Sequence, residues 1–406
     1  MSDLLQRVTE IARTAKKASR ALALAPTAVR DAALRAAAQA LRADEAAILE
    51  ANVKDLAAAK AKGLTDAMTD RLRLDHARLE DIAVACEAVA KLPDPVGEVT
   101  EDWTRPNGLR IIRRRVPIGL VAIIFESRPN VTVDAAALCL KSGNGCVLRG
   151  GSEAIHTNIA LSKSFATGLR AAGLPAEAVT LLPFTDREAV PARGGPGLIE
   201  AVVNSAKVPV IKHDAGICHV YVHAQADLAM AEQIVLNAKC QRPSACNALE
   251  TLLVDAIVAQ QFLPKMAAAL AAKKTEVRAC ALSRPLMPGA LAATEQDFHT
   301  EHLGLILNVK IVAGLAEAVA HVEDYGSHHS DAIITADESA ARAFLAQIDS
   351  ACVYWNASTR FTDGGEFGFG AEVGISTDRL HARGPMGIRE LTTWKFEIVG
   401  QGQVRG

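Results

Sequence analysis

From Pro117 onward, short apolar runs alternate with longer helical segments, and this alternation constrains the possible folds more than any other feature of the sequence. Residues 120–125 and 146–148 are typical of buried strands, and residues 131–141 between them are typical of a helix. Strands that are separated by helices pair in parallel, with each helix crossing over the sheet. Further apolar runs of the same kind are 178–182, 208–211, 220–222, 249–254 and 306–312. The pattern therefore predicts an α/β fold with parallel sheets.

The segments on either side of this region have different patterns. Residues 3–92 place apolar side chains at steps of three and four, which predicts amphipathic helices. Asn107 and Gly108 predict a hairpin turn, with a return strand that begins just after them. Residues 357–374 are rich in glycine and lack periodicity. Because long loops in compact domains tend to be functional, this last segment is expected to contribute to a site.

Composition excludes several classes of function. The 406 residues carry 44 Lys and Arg against 46 Asp and Glu, and a net charge of −2 gives no general attraction to nucleic acid or anionic membranes. The 8 cysteines include no Cys-x-x-Cys pair, which argues against a metal site and a disulfide framework. No apolar run is long enough to span a membrane, and the charged N-terminal segment is unlike a secretion signal. We therefore expect a cytoplasmic protein that uses no metal, nucleic acid or membrane.

One cysteine has a sequence context that can stabilise a thiolate. Cys246 is predicted to lie in a loop between a helix and a strand, close in sequence to Lys239 and Arg242. Positive charge and exposed backbone N–H groups lower the pKa of a thiol and so increase the fraction that is nucleophilic. Cys240 competes for this role, although it falls nearer the helix. On chemistry alone, a purely structural role for Cys246 stays open.

Six long segments resemble the aldehyde dehydrogenase superfamily, and within it the branch that reduces gamma-glutamyl phosphate. The segments are VPIGLVAIIFESRPN (116–130), SGNGCVLRGGSE (142–153), NAKCQRPSACNALETLLV (237–254), AVAHVEDYGSHHSD (318–331), NASTRFTDGGEFGFG (356–370) and HARGPMGIRELT (381–392). The resemblance implies an aldehyde-dehydrogenase-like fold, with two α/β domains and a β-arm for oligomerisation. It divides the chain into a dinucleotide-binding domain (1–100 and 117–223), a catalytic domain (224–375) and the arm (101–116 and 376–406).

The resemblance also implies an activity, the NADPH-dependent reduction of L-glutamyl 5-phosphate to L-glutamate 5-semialdehyde and phosphate in proline biosynthesis. Cys246 would be the nucleophile that forms a thioacyl intermediate, and Asn130 would stabilise the oxyanion. A helix N-cap is an equally open role for Asn130. Lys212 aligns with the Glu that activates water in hydrolytic relatives, and an ammonium group cannot act as that base unless its pKa is strongly lowered. The pattern therefore favours a phosphate-dependent, reductive enzyme.

Cofactor binding is expected to follow the superfamily, since no G-x-G-x-x-G fingerprint follows the first strand. By the resemblance, Arg149 and Ser152 would meet the adenosine ribose. The cation of Arg149, together with the lack of a carboxylate at position 152, leaves room for a 2′-phosphate, which favours NADP(H). Gly194 and Gly195 would open a helix whose N-terminus faces the pyrophosphate. Glu301 resembles the residue that holds the nicotinamide ribose.

Substrate and partner binding follow from the same resemblance. Arg242 and Arg360 are candidates to bind the α-carboxylate of the substrate, with solvated surface arginines as the alternative. The β-arm would leave open strand edges in a monomer, so we expect a homo-oligomer. Association with glutamate 5-kinase, which makes the acyl phosphate, stays open. By the resemblance, a further helix and strand would be expected between residues 190 and 193, where this sequence has none. Either the cofactor side of the sheet is shorter, or the sequence given lacks a segment.

Two alternative functions compete with this interpretation. The nearer one is a hydrolytic NAD(P)-dependent aldehyde dehydrogenase that acts on a small acidic aldehyde, and phosphate-independent turnover would favour it. The other is a non-catalytic helical adaptor, suggested by the alanine-rich first third of the chain. The adaptor hypothesis requires an inert thiol at Cys246, so selective alkylation of that thiol would exclude it.

Overall fold

The computed structural model describes residues 3–126, 128–184, 202–204, 206–212 and 215–405. The helices in these residues are α1 (Asp3–Leu24), α2 (Thr27–Ala43), α3 (Glu45–Ala61), α4 (Asp66–Leu72), α5 (His76–Lys91), α6 (Val131–Lys141), α7 (Ile155–Ala171), α8 (Leu228–Cys240), α9 (Ala256–Ala272), α10 (Glu295–Phe298), α11 (Leu315–Tyr325) and α12 (Glu338–Gln347). In this described part of the chain, no helix combines the length and the apolar content that crossing a bilayer requires.

The strands number fifteen in the described residues, and they divide between two compact units. They are β1 (Val99–Thr104), β2 (Arg110–Pro117), β3 (Leu120–Ile124), β4 (Gly145–Arg149), β5 (Val179–Leu181), β6 (Cys218–Val222), β7 (Leu249–Asp255), β8 (Glu276–Ala279), β9 (Leu291–Ala292), β10 (Ile306–Val312), β11 (Ser330–Ile334), β12 (Cys352–Trp355), β13 (Ile375–Ser376), β14 (Gly384–Pro385) and β15 (Thr392–Val399). The first unit comprises Met1–Ser205, Gly368–Val373 and Met386–Gly406, and the second comprises Ala206–Phe367 and Gly374–Pro385.

The first unit contains a small parallel sheet covered by helices, as the strand–helix alternation predicts. β3, β4 and β5 pair in parallel in that order. Leu120 lies opposite Gly145, and Cys146 lies opposite Val179. β4 is buried along most of its length and ends at Arg149. The residues that follow Arg149 therefore lie at the carboxyl edge of the sheet, where α/β folds bind nucleotides.

Small residues and a buried ion pair hold the helices of this unit together. A Cβ on Gly168 of α7 would lie 2.3 Å from the backbone nitrogen of Ala37 in α2, so only glycine allows this close approach. Lys141 ends α6 with its side chain 1% exposed, and its Nζ donates to Asp31 Oδ1 at 2.6 Å and to the Ala90 carbonyl at 2.9 Å. The buried ammonium is tolerated because both contacts replace its hydration.

A separate antiparallel sheet in the first unit contains β1, β2 and β15 in that order. Gly108 makes the turn between β1 and β2 with a φ of +85°, which glycine adopts at low cost. β2 begins at Arg110, directly after the predicted turn. β15 pairs with the full length of β2, with Val116 opposite Thr393. β15 and most of β1 and β2 lie in the predicted arm, whereas β14, which also lies in it, pairs with β13 in a separate sheet.

The second unit is built on a seven-stranded sheet in the order β12-β11-β6-β7-β10-β8-β9. Every neighbouring pair in this sheet is parallel. Because β6, β7 and β10 are adjacent and parallel, the loops that enter these three strands meet at one edge of the sheet. The described residues of those loops are 206–212, 215–217, 241–248 and 299–305, and they contain Lys212, Arg242, Cys246 and Glu301.

Three sequence-based expectations about the segments near the boundaries of the units differ from the structure. Residues 208–211 form no strand, and Pro209 in their middle cannot donate to a strand ladder. β6 lies between β11 and β7, so residues 206–223 belong to the second unit rather than to the predicted dinucleotide-binding domain. Residues 376–385 also belong to the second unit, so only the later part of the predicted arm, 386–406, joins the first. The strand–helix pattern is alike in both units, and it does not indicate which sheet a strand joins.

Candidate active site

Cys246 lies in the loop between α8 and β7, and its side chain is half-buried. Its carbonyl oxygen accepts a hydrogen bond from the Sγ of Cys218 at 3.3 Å. A Cβ added to Gly216 would lie 1.9 Å from that same carbonyl oxygen, so the position excludes any side chain. Gly216 therefore fixes the path of the cysteine loop. Sequence reasoning missed this contact, although a glycine just before a buried strand is a signal of close backbone approach.

The other cysteines of the second unit have different surroundings. Burial raises the pKa of Cys218 well above its usual range, so this thiol stays protonated. Cys240 is the last residue of α8, and its Sγ lies 3.5 Å from the Thr275 hydroxyl. Although burial raises the pKa of Cys280, hydrogen bonds from Ser283 and from backbone N–H groups lower it overall. Cys280 is therefore the matched control for any experiment on a reactive thiol.

Arg360 lies close enough to interact electrostatically with both Cys246 and Arg242. Arg360 is half-buried, and its Nε donates to Gln241 Oε1 at 2.7 Å. Burial lowers the pKa of the Arg360 guanidinium, the positive charge of Arg242 lowers it further, and Cys246 acts in the opposite direction. The structure thus brings three predicted site residues together. A guanidinium beside a thiol favours the thiolate, and two guanidinium groups that repel each other favour an anionic ligand.

The glycine-rich loop after β12 is attached to the residue that follows Cys246. The Thr359 hydroxyl donates to the Asn247 carbonyl at 2.7 Å, and Asn247 Nδ2 donates to the Thr362 carbonyl at 2.9 Å. The Thr362 hydroxyl also lies 2.6 Å from that of Ser330, at the start of β11. These bonds hold the loop that carries Arg360 against the edge of the sheet where Cys246 lies.

A buried ion pair supports the loop that carries Glu301. The Glu301 carboxylate accepts a hydrogen bond from the backbone N–H of Gly216, while burial raises its pKa. Lys239 Nζ lies 2.8 Å from Glu250 Oε2, and both side chains are 0% exposed. The other carboxylate oxygen of Glu250 accepts from the backbone N–H of Leu303 at 3.3 Å. The pair therefore holds the segment next to Glu301, and Glu301 in turn contacts the glycine that packs on Cys246.

The first unit contains the predicted adenosine-binding residues. Arg149 ends β4, its Nη1 donates to the Gly150 carbonyl at 3.1 Å, and Ser152 is exposed at the start of the next helical turn. The buried Nδ2 of Asn158 has no hydrogen-bond partner in the described structure, and it lies 2.2 Å from the position of a Cβ on Gly150. A cation, a free hydroxyl and an unpaired donor at the carboxyl edge of a parallel sheet fit an anionic dinucleotide. The predicted pyrophosphate turn, Gly194-Gly195, lies outside the described residues.

Asn130 is the N-cap residue of α6, although its side chain makes no capping hydrogen bond. Its Nδ2 instead donates to Asp134 Oδ2 at 2.7 Å. Burial raises the pKa of Asp134 to about 6, and the hydrogen bond from Asn130 opposes that rise. A second N–H of the Asn130 amide is left for another acceptor.

A sequence model of the aldehyde dehydrogenase family matches residues 5–296. The chain belongs to the aldehyde dehydrogenase family. Within the family, it is 54% identical over 404 residues to the gamma-glutamyl phosphate reductase of Moorella thermoacetica, covering 96% of this chain and 97% of that protein. It is 52% identical over 407 residues to the gamma-glutamyl phosphate reductase of Caulobacter vibrioides, covering 97% of this chain and 98% of that protein.

Solved structures of the family confirm the fold that the sequence predicts. The crystal structure of gamma-glutamyl phosphate reductase from Thermotoga maritima has a TM-score of 0.96 and 44% identity, covering 98% of this chain and 100% of that chain. An acetylating aldehyde dehydrogenase from Geobacillus thermoglucosidasius has a TM-score of 0.68 and 19% identity, covering 99% and 98% of the two chains, and it shares the fold. The expected aldehyde-dehydrogenase-like fold and the resemblance to gamma-glutamyl phosphate reductases are thus confirmed.

This member of the aldehyde dehydrogenase family has Lys212 where the resemblance aligns the Glu of hydrolytic relatives. Lys212 is half-buried, its backbone N–H donates to Asp378 Oδ2 at 2.8 Å, and its carbonyl accepts from the Thr377 N–H at 3.2 Å. The segment is therefore anchored by residues that follow it by more than 160 positions.

In the described residues, no group of three or more His, Cys, Asp and Glu side chains is arranged to hold a metal ion.

The segment expected to be missing between residues 190 and 193 lies outside the described residues. The comparison with the gamma-glutamyl phosphate reductase of Paramagnetospirillum magneticum, 50% identical, runs over 417 residues, which exceeds the 406 of this chain. That relative therefore carries residues that this chain lacks.

Proposed function

We propose that this chain reduces L-glutamyl 5-phosphate to L-glutamate 5-semialdehyde and phosphate, with NADPH as the reductant, as a step of proline biosynthesis. The observation that carries the proposal is the half-buried thiol of Cys246, on a loop packed against Gly216 and within electrostatic range of the Arg360 guanidinium. Relatives at 52% and 54% identity over nearly the whole chain carry the name gamma-glutamyl phosphate reductase, which supports the same substrate.

In the proposed mechanism, Cys246 acts as a thiolate. Its sulfur attacks the acyl carbon of the acyl phosphate, the bond from that carbon to the phosphate oxygen breaks, and a thioester on Cys246 remains. Arg242 and Arg360 favour the thiolate and attract the anionic substrate, with the α-carboxylate as their proposed partner. The backbone N–H of Cys246 and the second N–H of Asn130 stabilise the tetrahedral oxyanion.

The proposed cofactor residues are those that the resemblance implies. When bound, NADPH supplies the hydride that reduces the acyl group. Arg149 and Ser152 hold the adenosine ribose with its 2′-phosphate, and Glu301 holds the nicotinamide ribose. We assign the pyrophosphate to Gly194 and Gly195. The guanidinium of Arg149 and the lack of a carboxylate at position 152 support NADP(H) over NAD(H).

Removal of phosphate from the reverse reaction tests this function. With L-glutamate 5-semialdehyde as substrate, we expect steady NADP+ reduction without phosphate to fall to about 1% of the phosphate-supported rate or lower, since general-base activation of water is worth at least about 100-fold. The physical reason is that Lys212 stands where hydrolytic relatives carry the water-activating Glu. Absorbance of NADPH measures the rate, with arsenate as a substitute nucleophile and NAD+ as the comparison cofactor. Steady turnover in phosphate-free buffer would contradict the proposal and favour a hydrolytic aldehyde dehydrogenase.

We also propose a homo-oligomer that forms through the antiparallel sheet of the first unit. β15 is an edge strand of this sheet, and its side chains Trp394, Phe396 and Ile398 are 45%, 52% and 62% exposed. An edge strand with exposed apolar side chains favours pairing with a second chain. Sedimentation at micromolar concentration should therefore give species heavier than the 42.8 kDa monomer, and a monomer alone would contradict the proposal. The same experiment with glutamate 5-kinase added tests whether the two proteins associate, which the sequence leaves open.

A further inference from the structure

A cleft of about 180 Å³ in the second unit is lined by both positively and negatively charged side chains. The role proposed for it here rests on the function proposed above. The cleft is lined by Asn237, Gln241, Arg360, Phe361, Asp363 and Glu366. We propose that Asp363 and Glu366 bind the α-ammonium group of the substrate, and that this contact protects the thioester on Cys246 from attack by the substrate's own amine.

The cleft lies beside the proposed nucleophile. The loop that carries Arg360, Asp363 and Glu366 is attached to Asn247, the residue after Cys246. Two hydrogen bonds make this attachment, one from the Thr359 hydroxyl at 2.7 Å and one to the Thr362 carbonyl at 2.9 Å. Arg360 also interacts electrostatically with Cys246. A substrate whose acyl carbon is bonded to the Cys246 sulfur can therefore extend its amino-acid end into the cleft.

The charges of the cleft match those of an amino-acid head group. Arg360 uses its Nε for Gln241 and presents the cation for an α-carboxylate. Asp363 accepts the backbone N–H of Gly365 at 2.8 Å with Oδ1, and its negative charge interacts with the Arg360 guanidinium. The Glu366 side chain is exposed and lines the same cleft. Two exposed carboxylates next to a guanidinium form an acceptor site for an ammonium group, in which charge-assisted hydrogen bonds are the strong ones.

Chemistry supplies the reason for such a site. In a γ-glutamyl thioester, the α-nitrogen can attack the thioester carbon and close a five-membered lactam. A C–N bond forms, the C–S bond breaks, the nitrogen proton goes to the sulfur, and 5-oxoproline leaves free Cys246 without any redox change. Only the neutral amine has the lone pair for this attack, and intramolecular reactions of this type have effective molarities of up to about 10⁵–10⁸ M. Carboxylates beside the nitrogen favour its protonated form, so they suppress the lactam and leave the thioester for reduction.

The test compares two aldehydes that differ only in the α-amine. The double variant D363N/E366Q removes both charges and keeps the side-chain shapes, and Glu338→Gln, on an exposed helix of the same unit, is the matched control. With phosphate and NADP+, we expect the double variant to raise the KM for L-glutamate 5-semialdehyde at least about tenfold more than the KM for 5-oxopentanoate, since hydrogen bonds to charged groups are worth factors of about ten or more. The control variant should change neither value.

A second measurement follows the lactam directly. Wild-type and variant enzymes are acylated with L-glutamate 5-semialdehyde and NADP+ in phosphate-free buffer, and mass spectrometry follows the loss of the acyl group from Cys246 and the release of 5-oxoproline. We expect release to be at least about tenfold faster in D363N/E366Q than in the wild type or E338Q, by the same charge argument. Equal release rates, or equal KM changes for both aldehydes, would overturn the ammonium site. A wild-type enzyme that does not turn over the semialdehyde at all would instead overturn the proposed function.

Discussion

Replacing Cys246 with serine is expected to reduce phosphate-dependent NADP+ reduction by about 10³-fold or more, because a serine hydroxyl without an adjacent base is a weak nucleophile at neutral pH. Binding of the dinucleotide should survive, since the residues proposed to hold it are unchanged. Initial rates measure the loss, and quenching of protein fluorescence by NADPH measures binding. The matched controls are Cys240→Ser and Cys280→Ser, which alter the thiol on α8 and the hydrogen-bonded thiol after β8.

Near-normal turnover of the Cys246 variant would show that another residue is the nucleophile. Alkylation provides an independent measurement, because iodoacetamide reacts with thiolates rather than thiols. We expect substrate to protect Cys246 and to leave labelling of Cys280 unchanged. Labelling that ignores substrate, with full activity in the serine variant, would restore the alternative in which this chain is a non-catalytic adaptor.

Replacing Lys239 with methionine is expected to cost about 3–5 kcal/mol of unfolding free energy, because it leaves the carboxyl of Glu250 buried without its partner. In the wild type, burial raises the pKa of Glu250 to about 7, and Lys239 opposes that rise. Without Lys239, the pKa rises further. A folded-state pKa above the unfolded value means that the folded state binds the extra proton, so the variant should lose stability as the pH rises from about 5 to above 7. Denaturant unfolding at pH 6 and pH 8 measures both effects.

The double variant K239M/E250L separates stability from positioning. Replacing a buried ion pair with apolar side chains of similar volume is often neutral or stabilising, so we expect stability to return to within about 1 kcal/mol of the wild type. The KM for NADP+ should nevertheless be higher in this double variant than in the wild type, because the backbone N–H of Leu303 has lost the carboxylate acceptor that holds the loop beside Glu301. A double variant with wild-type KM would show that the pair serves stability alone. Wild-type stability of the single variant at pH 8 would contradict the buried ion pair itself.

Much of the local structure around the site can be predicted from the sequence. Residues 131–141 and 306–312 form the helix and the strand that their patterns predict. Cys246 lies on a loop between a helix and a strand, as its flanking residues indicate. These predictions succeed because the spacing of apolar residues reports the burial of each element, and burial is largely a local property of a helix or strand face. At residues 208–211 the same pattern fails, since one proline outweighs three apolar neighbours.

The contacts that position the thiol could not be predicted in this way. Gly216, Cys246 and Glu301 are separated by tens of residues, and they meet because β6, β7 and β10 are adjacent in the sheet. The support from the Lys239–Glu250 pair also depends on that order, since Glu250 lies on β7 and Leu303 precedes β10. The sequence around Asp363 and Glu366 indicates only a loop, and the structure alone shows that both residues line one cleft.

The sequence by itself determined the types of most elements, the family of the chain, the presence of a loop thiol and the lysine at position 212. Tertiary structure alone decided which sheet each strand joins, how closely Gly216 approaches the Cys246 carbonyl, and which charges face the cleft. Apolar periodicity reflects the environment of a few consecutive residues. Strand order depends instead on free energy summed over contacts between distant segments, and a sequence pattern does not record which of those segments pair.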